Sequence, residues 1–172
     1  RLVPPGLLGI VAGPLLFGVL PAKAVAGVVG ALTLLFLAQR LLWPSRPDAP
    51  PLPHAVGRLC AVLAGFTSFV AHAGGPPISA YLLPMKMAPR ILSGTMAVFF
   101  AAVNAAKVLP YMGLGLIDLR NMATSAVLLP LAPLGVWVGV RLVRRIDPTW
   151  FYRLAYLGML LSGGKLLWDG LT

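Results

Sequence analysis

Charged residues are scarce in this sequence of 172 amino acids, and the acidic ones are scarcest, with 4 Asp and Glu against 14 Lys and Arg. Charged side chains make up 10% of the chain, whereas soluble domains carry about a quarter. This shortage excludes an ordinary soluble domain. The 59% hydrophobic share and the mean hydropathy of +0.89 instead indicate an integral membrane protein with several spans.

Cysteine and histidine are nearly as scarce, which excludes several kinds of site. Cys60 is the single cysteine of the chain, so neither an intrachain disulfide nor a cysteine metal site can form. His54 and His72 are too few for a metal centre, since the four acidic residues are scattered in loops. We therefore predict no metal and no cofactor.

The net charge of +10 could suggest a nucleic-acid partner. However, Lys and Arg occur in short clusters between apolar runs, which is the pattern of cytoplasmic loops. No basic face remains once the apolar runs are placed in a membrane. The sequence therefore predicts the lipid bilayer as a partner and no nucleic acid.

Five apolar stretches are predicted to cross the bilayer, because about 20 helical residues span a ~30 Å hydrocarbon core. They are span A (6–20), span B (24–43), span C (91–114), span D (122–143) and span E (148–167). Between spans B and C, residues 44–56 are too rich in proline to be helical and are predicted to form a cytoplasmic linker.

A glycine- and proline-rich break interrupts apolar sequence at residues 65–79. The stretches that flank it, 58–72 and 78–87, are each too short to cross a bilayer as a helix. A surface turn would explain the glycines and prolines. Three polar side chains instead favour a sheltered break between two half-helices, namely Ser68, His72 and Ser79. Many transporters build a binding site from such half-helices near the bilayer midplane.

The break is predicted to hold an anion. Pro76 and Pro77 suit the first turn of the second half-helix, whose free N–H groups and positive dipole end favour an anion. Gly74 and Gly75 are expected to let the chain turn and let its amides approach a ligand. His72 would either take up a proton and couple it to anion movement, or stay neutral and cap carbonyls of the first half-helix.

A second group of polar residues lies in span C. Asn104, Lys107 and Tyr111 are spaced i, i+3 and i+7, which predicts one shared helix face. An ionisable group inside a span usually faces a cavity or a partner, so we predict that all three residues contribute to anion binding and that Lys107 coordinates the anion or couples its movement. The alternative is that Lys107 snorkels to the outer surface.

The positive charges predict how the broken segment sits in the membrane. If it returns to the side from which it entered, most Lys and Arg residues lie on one face of the bilayer; if it crosses, the bias vanishes. The positive-inside rule therefore favours a re-entrant hairpin with both ends in the cytoplasm.

Spans B and E end alike, in Leu41-Leu42-Trp43 and Leu166-Leu167-Trp168, and each follows a proline and a span that contains glycine and proline. With the orientation above, this predicts an inverted repeat. The end of a first repeat (two spans) would occupy 1–43, and a second repeat (hairpin plus three spans) 57–172. By analogy with residues 57–117, about 60 residues of the first repeat are expected upstream.

Several of these runs resemble the TauE/SafE family of membrane transporters, the sulfite exporter family. The similarity is carried by residues 65–84 with their Gly74-Gly75-Pro76 sequence, by Gly94-Thr95, and by residues 104–111 and 113–118. The resemblance implies export of a small anion, such as sulfite, a sulfonate or a related organosulfur compound, across the bacterial inner membrane. It implies a transporter and not an enzyme.

Two other functions stay open from the residues alone. The first is a membrane scaffold subunit, whose main interface would include small residues such as Gly27 and Gly30. The second is an intramembrane hydrolase that uses Ser68 and His72, although no second histidine lies in a span to serve as its base. The sequence leaves open whether the protein forms a homo-oligomer.

Overall fold

The computed structural model describes residues 1–17, 21–42, 52–115 and 119–172, and within these ranges the chain is helical, without strands. The α-helices are α1 (Val3–Phe17), α2 (Ala22–Leu42), α3 (His54–Ala71), α4 (Gly75–Leu82), α5 (Pro89–Gly113), α6 (Leu119–Leu128), α7 (Leu131–Arg145) and α8 (Pro148–Leu171). A 3-10 turn, Leu83–Met85, follows α4. The predicted all-α class is confirmed for the described residues.

Three helices are long and apolar enough to cross a membrane, namely α2, α3 and α5, and the bent pair α6–α7 would be a fourth span if it is counted as one. α1 is a shorter apolar helix. α8 has 24 residues but carries Arg153, Lys165 and Asp169, and it is not among these spans. The helices as a set agree with a multi-pass membrane protein.

Two helices differ from their predicted bounds. α3 begins at His54 and has 18 residues, so it is longer than the predicted half-helix and takes up the last residues of the predicted linker. Residues 44–51 of that linker lie outside the described residues. Span D, predicted as one helix over 122–143, bends by 48° between α6 and α7. Pro130 lies at this bend, lacks an N–H and disfavours the helical region for the residue before it.

Close contacts between small residues hold two helix pairs together. α2 and α8 are antiparallel, because a Cβ at Gly27 would lie 3.2 Å from Gly170 Cα and one at Gly30 would lie 2.3 Å from the Leu167 nitrogen. Such close backbone approach is typical of helix pairs in membranes, where packing rather than the hydrophobic effect drives association.

α1 packs along α3 in the same way. A Cβ at Gly9 would lie 2.1 Å from the Val62 carbonyl oxygen, and one at Gly65 would lie 2.0 Å from the Gly6 carbonyl oxygen. The largest fully buried side chains, Phe69, Phe99, Ile78 and Val103, fill the core between α3, α4 and α5. This packing fixes the end of α3, where the break begins.

Candidate functional site

The break lies between the end of α3 at Ala71 and the start of α4 at Gly75. The residue that turns the chain is His72, with φ 52° and ψ 24° in the left-handed region, whereas Gly74 has an ordinary φ of −74°. The left-handed conformation at the turn is therefore supplied by His72 and not by Gly74. Histidine is among the side chains that tolerate the left-handed region comparatively well.

Thr67 closes the end of α3. The backbone N–H groups of His72 and Ala73 both donate to the Thr67 carbonyl oxygen, at 3.1 Å for Ala73. The Thr67 hydroxyl lies 2.7 Å from the Leu63 carbonyl oxygen and 3.0 Å from the Ala73 carbonyl oxygen. Since a helix end leaves carbonyls without helical partners, this threonine satisfies groups that would be costly to bury. Sequence reasoning missed it.

Tyr111 supports the same helix end from α5. Its hydroxyl donates to the Phe69 carbonyl oxygen at 2.9 Å, and its ring meets the Phe69 ring edge-on with centroids 4.9 Å apart. The His72 and Tyr111 ring centroids are 6.2 Å apart. Tyr111 thus positions the residues at the break.

α4 runs back alongside α3. A Cβ at Gly57, near the start of α3, would lie 2.4 Å from Tyr81 Cζ near the end of α4. At the other end, a Cβ at Gly74 would lie 2.6 Å from the Ala64 carbonyl oxygen and 2.7 Å from Ser68 Cβ. The two helices therefore form a tight antiparallel hairpin with the break at its tip.

A cavity of about 820 Å³ opens beside the break, between α4, α5 and α8. Its polar lining comes from the hairpin tip, α5 and α8, and its remaining lining is mainly apolar. The polar side chains that line it are His72, Ser79, Ser93, Ser162, Lys165 and Asp169. A mostly apolar cavity of this size with a few polar groups is typical of a site for a small molecule.

The structure brings four predicted residues of the break to this cavity, namely His72, Gly75, Pro76 and Ser79. Ser68 and Gly74 are buried against each other on the other side of the break and do not line it. The Ser68–His72 pair required for a hydrolase therefore does not face one cavity.

The first turn of α4 has fewer donors than the sequence suggested. It includes Pro76 and Pro77, and proline has no N–H, so Gly75 supplies the free backbone donor of this turn, because the N–H of Ile78, the fourth helical residue, has an acceptor within the helix. A Cβ at Gly75 would meet nothing within 4 Å, so this glycine borders open space. An anion in the cavity would also need donors from side chains, and Ser79 and His72 lie at the right place.

The three predicted residues of α5 do not share one environment. Lys107 is buried, 6% exposed, on the face that also carries Phe99 and Val103. Asn104 is exposed and Tyr111 is half-buried. None of the three lines the cavity, and the burial of Lys107 means that protein rather than the outer surface surrounds most of its side chain.

α8 supplies a face of the cavity that sequence reasoning did not assign. The lining residues of this helix recur three or four positions apart along almost its whole length, as Phe151, Ala155, Gly158, Ser162, Lys165 and Asp169. This spacing places them on one helical face. Lys165, a charged residue near the end of the predicted span E, was the available signal in the sequence.

Comparison with known proteins gives one match. The family model described as "Sulfite exporter TauE/SafE" matches residues 1–166. No curated protein and no solved structure matches the chain.

Proposed function

Because this chain belongs to the sulfite exporter TauE/SafE family, a family of membrane transporters, we propose that it exports a small anion such as sulfite, a sulfonate or a related organosulfur compound. The observation that carries this proposal is the cavity at the hairpin tip, where His72, Gly75 and Ser79 face the same space. The Ser79 hydroxyl and the Gly75 N–H are donors suited to an anion, and no acidic side chain of the hairpin lines the cavity.

The packing supports a re-entrant hairpin and an inverted repeat. Gly57 and Tyr81 lie together, so the start of α3 and the end of α4 lie at one end of the hairpin. α2 and α8, the last helices of the two proposed repeats, pack antiparallel. We propose that the hairpin ends lie in the cytoplasm, following the distribution of Lys and Arg, and that the protein lies in the bacterial inner membrane, as its family membership suggests.

The scaffold alternative is the weaker one. Its proposed interface would use Gly27 and Gly30, but both are occupied within the chain by Gly170 and Leu167 of α8. A partner protein could reach these glycines only by displacing α8. A transporter requires no such rearrangement.

Anion binding to the purified protein tests the site. Ser79→Ala removes a hydroxyl donor from the cavity, and a hydrogen bond to a charged group contributes about 1.5–3 kcal/mol, so sulfite binding should weaken roughly 10- to 100-fold. The matched control is Ser125→Ala, because Ser125 is exposed on α6 and does not line the cavity. Equal affinity of the wild type and Ser79→Ala would move the site away from the hairpin tip.

Proton coupling is tested separately at His72. Asparagine also tolerates the left-handed region, so His72→Asn keeps the turn and removes the imidazole. We expect transport of methanesulfonate, an anion whose charge does not change in this range, to lose its dependence on pH between about pH 5 and 8 in proteoliposomes. His54→Asn is the control, because His54 lies at the start of α3 and away from the cavity. An unchanged pH profile in His72→Asn would leave this histidine with a capping role only.

A further inference from the structure

The cavity continues from the hairpin tip along α8 and ends beside two charged residues. Lys165 and Asp169 are the only lining side chains of the described residues that carry a formal charge when histidine is neutral. Lys165 Nζ lies 2.5 Å from Asp169 Oδ2. Any anion that occupies this end of the cavity therefore meets an ion pair that already contains a carboxylate.

The position of Asp169 is unfavourable for helix stability. Lys165 and Asp169 lie at i and i+4 with the cation before the acid, which is the less stabilising order for such a pair on a helix. Helix stability alone thus gives no reason for an acid here.

The ion pair is weak enough to open. The Lys165 side chain is 74% exposed and the Asp169 side chain 45%, and exposed pairs of this kind contribute about 0–1 kcal/mol. An anion that approaches Lys165 can therefore replace the carboxylate at little cost. While the pair is closed, Asp169 both neutralises Lys165 and repels other anions.

We infer that Lys165 and Asp169 form an electrostatic gate at this end of the cavity, in which Asp169 competes with the transported anion for Lys165. This inference rests on the proposed function, since it assigns a specificity role within the same site. Asp169 offsets the attraction that Lys165 exerts on an anion, and both interactions are twice as strong for a dianion as for a singly charged anion.

Two substitutions at the pair separate this role from a structural one. Lys165→Met should weaken binding of methanesulfonate to the purified protein roughly 3- to 10-fold, whereas Asp169→Asn should strengthen it by a similar factor. Both variants break the same ion pair. If the pair had a purely structural role, both variants would lose stability alike, and their anion affinities would not shift in opposite directions. The control is Lys23→Met, because Lys23 contacts the Thr172 carbonyl at the same end of α8 but does not line the cavity.

Sulfate provides the test of charge selectivity, because it resembles methanesulfonate in size and carries two charges. If Asp169→Asn raises the affinity for methanesulfonate by a given factor, it should raise the affinity for sulfate by about the square of that factor. Lys165→Arg keeps the positive charge and should retain the anion affinity that Lys165→Met loses. Shifts in the same direction, or none, in a wild type that binds anions would overturn the gate and leave the proposed function intact. A wild type that binds neither these two anions nor sulfite would overturn both.

Discussion

α1 and α7 are alike in sequence but differ in what surrounds them. Each is a short helix with a glycine pair four residues apart, Gly9 and Gly13 in α1 and Gly135 and Gly139 in α7, and each precedes a long helix. A Cβ at Gly9 would lie 2.1 Å from the backbone of α3, and one at Gly13 would lie 2.5 Å from the Phe69 ring. A Cβ at Gly135 or Gly139 would meet no atom of the described residues within 4 Å outside the nearby backbone of its own helix.

The difference shows that a small-residue pair does not by itself create a helix contact. α1 packs along α3 and also contacts α5, whereas α7 has no buried residue and contacts mainly α5. In a bilayer, lipid covers an apolar helix as well as protein does, so only close backbone approach distinguishes a packed glycine from a lipid-facing one. The glycines of α1 hold the hairpin in place, and those of α7 are free to change.

The largest expected effect comes from filling the α1–α3 contact. Gly9→Val should destabilise the protein by more than about 3 kcal/mol, because the backbone of α3 cannot move aside as a flexible side chain could. Gly139→Val should change stability by less than about 0.5 kcal/mol. Unfolding in mixed detergent micelles measures both, and equal losses would mean that α7 is packed as tightly as α1.

A second test asks whether α2 and α8 depend on glycine as α1 and α3 do. Gly30→Val should cost about 3 kcal/mol, since the added side chain would meet the backbone of α8 at Leu167 and Gly163. The control is Gly164→Val, because a Cβ at Gly164 meets nothing within 4 Å. If both variants unfold like the wild type, the antiparallel pair is held by other contacts, and support for the inverted repeat weakens.

Lys107 tests the packing on the face of α5 that α1 contacts. It shares a face with Phe99 and Val103, which α1 contacts at Gly6, and within the described residues it has no hydrogen bond or ion pair. Lys107→Met should therefore stabilise the protein by about 1–3 kcal/mol while anion transport falls. Asn104→Met, on an exposed part of the same helix, should change neither. A loss of stability in Lys107→Met would reveal a partner for the ammonium group, and unchanged transport would exclude a role in moving the anion.

The smallest effect is expected at the junction between α7 and α8. Asp147 caps α8, and hydrogen bonds from the Thr149 side chain and backbone N–H lower the pKa of its carboxyl below the usual value of 3.8. A lowered pKa stabilises the folded state above the unfolded-state pKa, and this stabilisation is lost as the pH falls through the folded-state pKa. The free energy of unfolding of Asp147→Asn should therefore be slightly lower than that of the wild type at pH 6, and this difference should be smaller at pH 3. A gap in stability that widens on acidification would contradict this.

The sequence by itself determined the membrane class, the position of most helices and the location of the break. These features depend on local properties: few charges, long apolar runs, and proline residues that end helices wherever they occur. The family resemblance, carried by the runs around Gly74-Gly75-Pro76 and residues 104–118, was confirmed by the match to residues 1–166. The sequence did not predict the bend at Pro130, because proline inside a span kinks some helices and ends others.

Only the tertiary structure decided which residues of the break meet in one cavity. The sequence treated Ser68 and Ser79 alike, yet Ser79 lines the cavity and Ser68 is buried against Gly74. It did not show that Thr67 closes α3, that His72 has the left-handed conformation of the turn, or that Lys165 and Asp169 line the same cavity as the hairpin tip. These facts depend on contacts between distant parts of the chain, and helical spacing fixes which residues share a face but not which neighbour that face will meet.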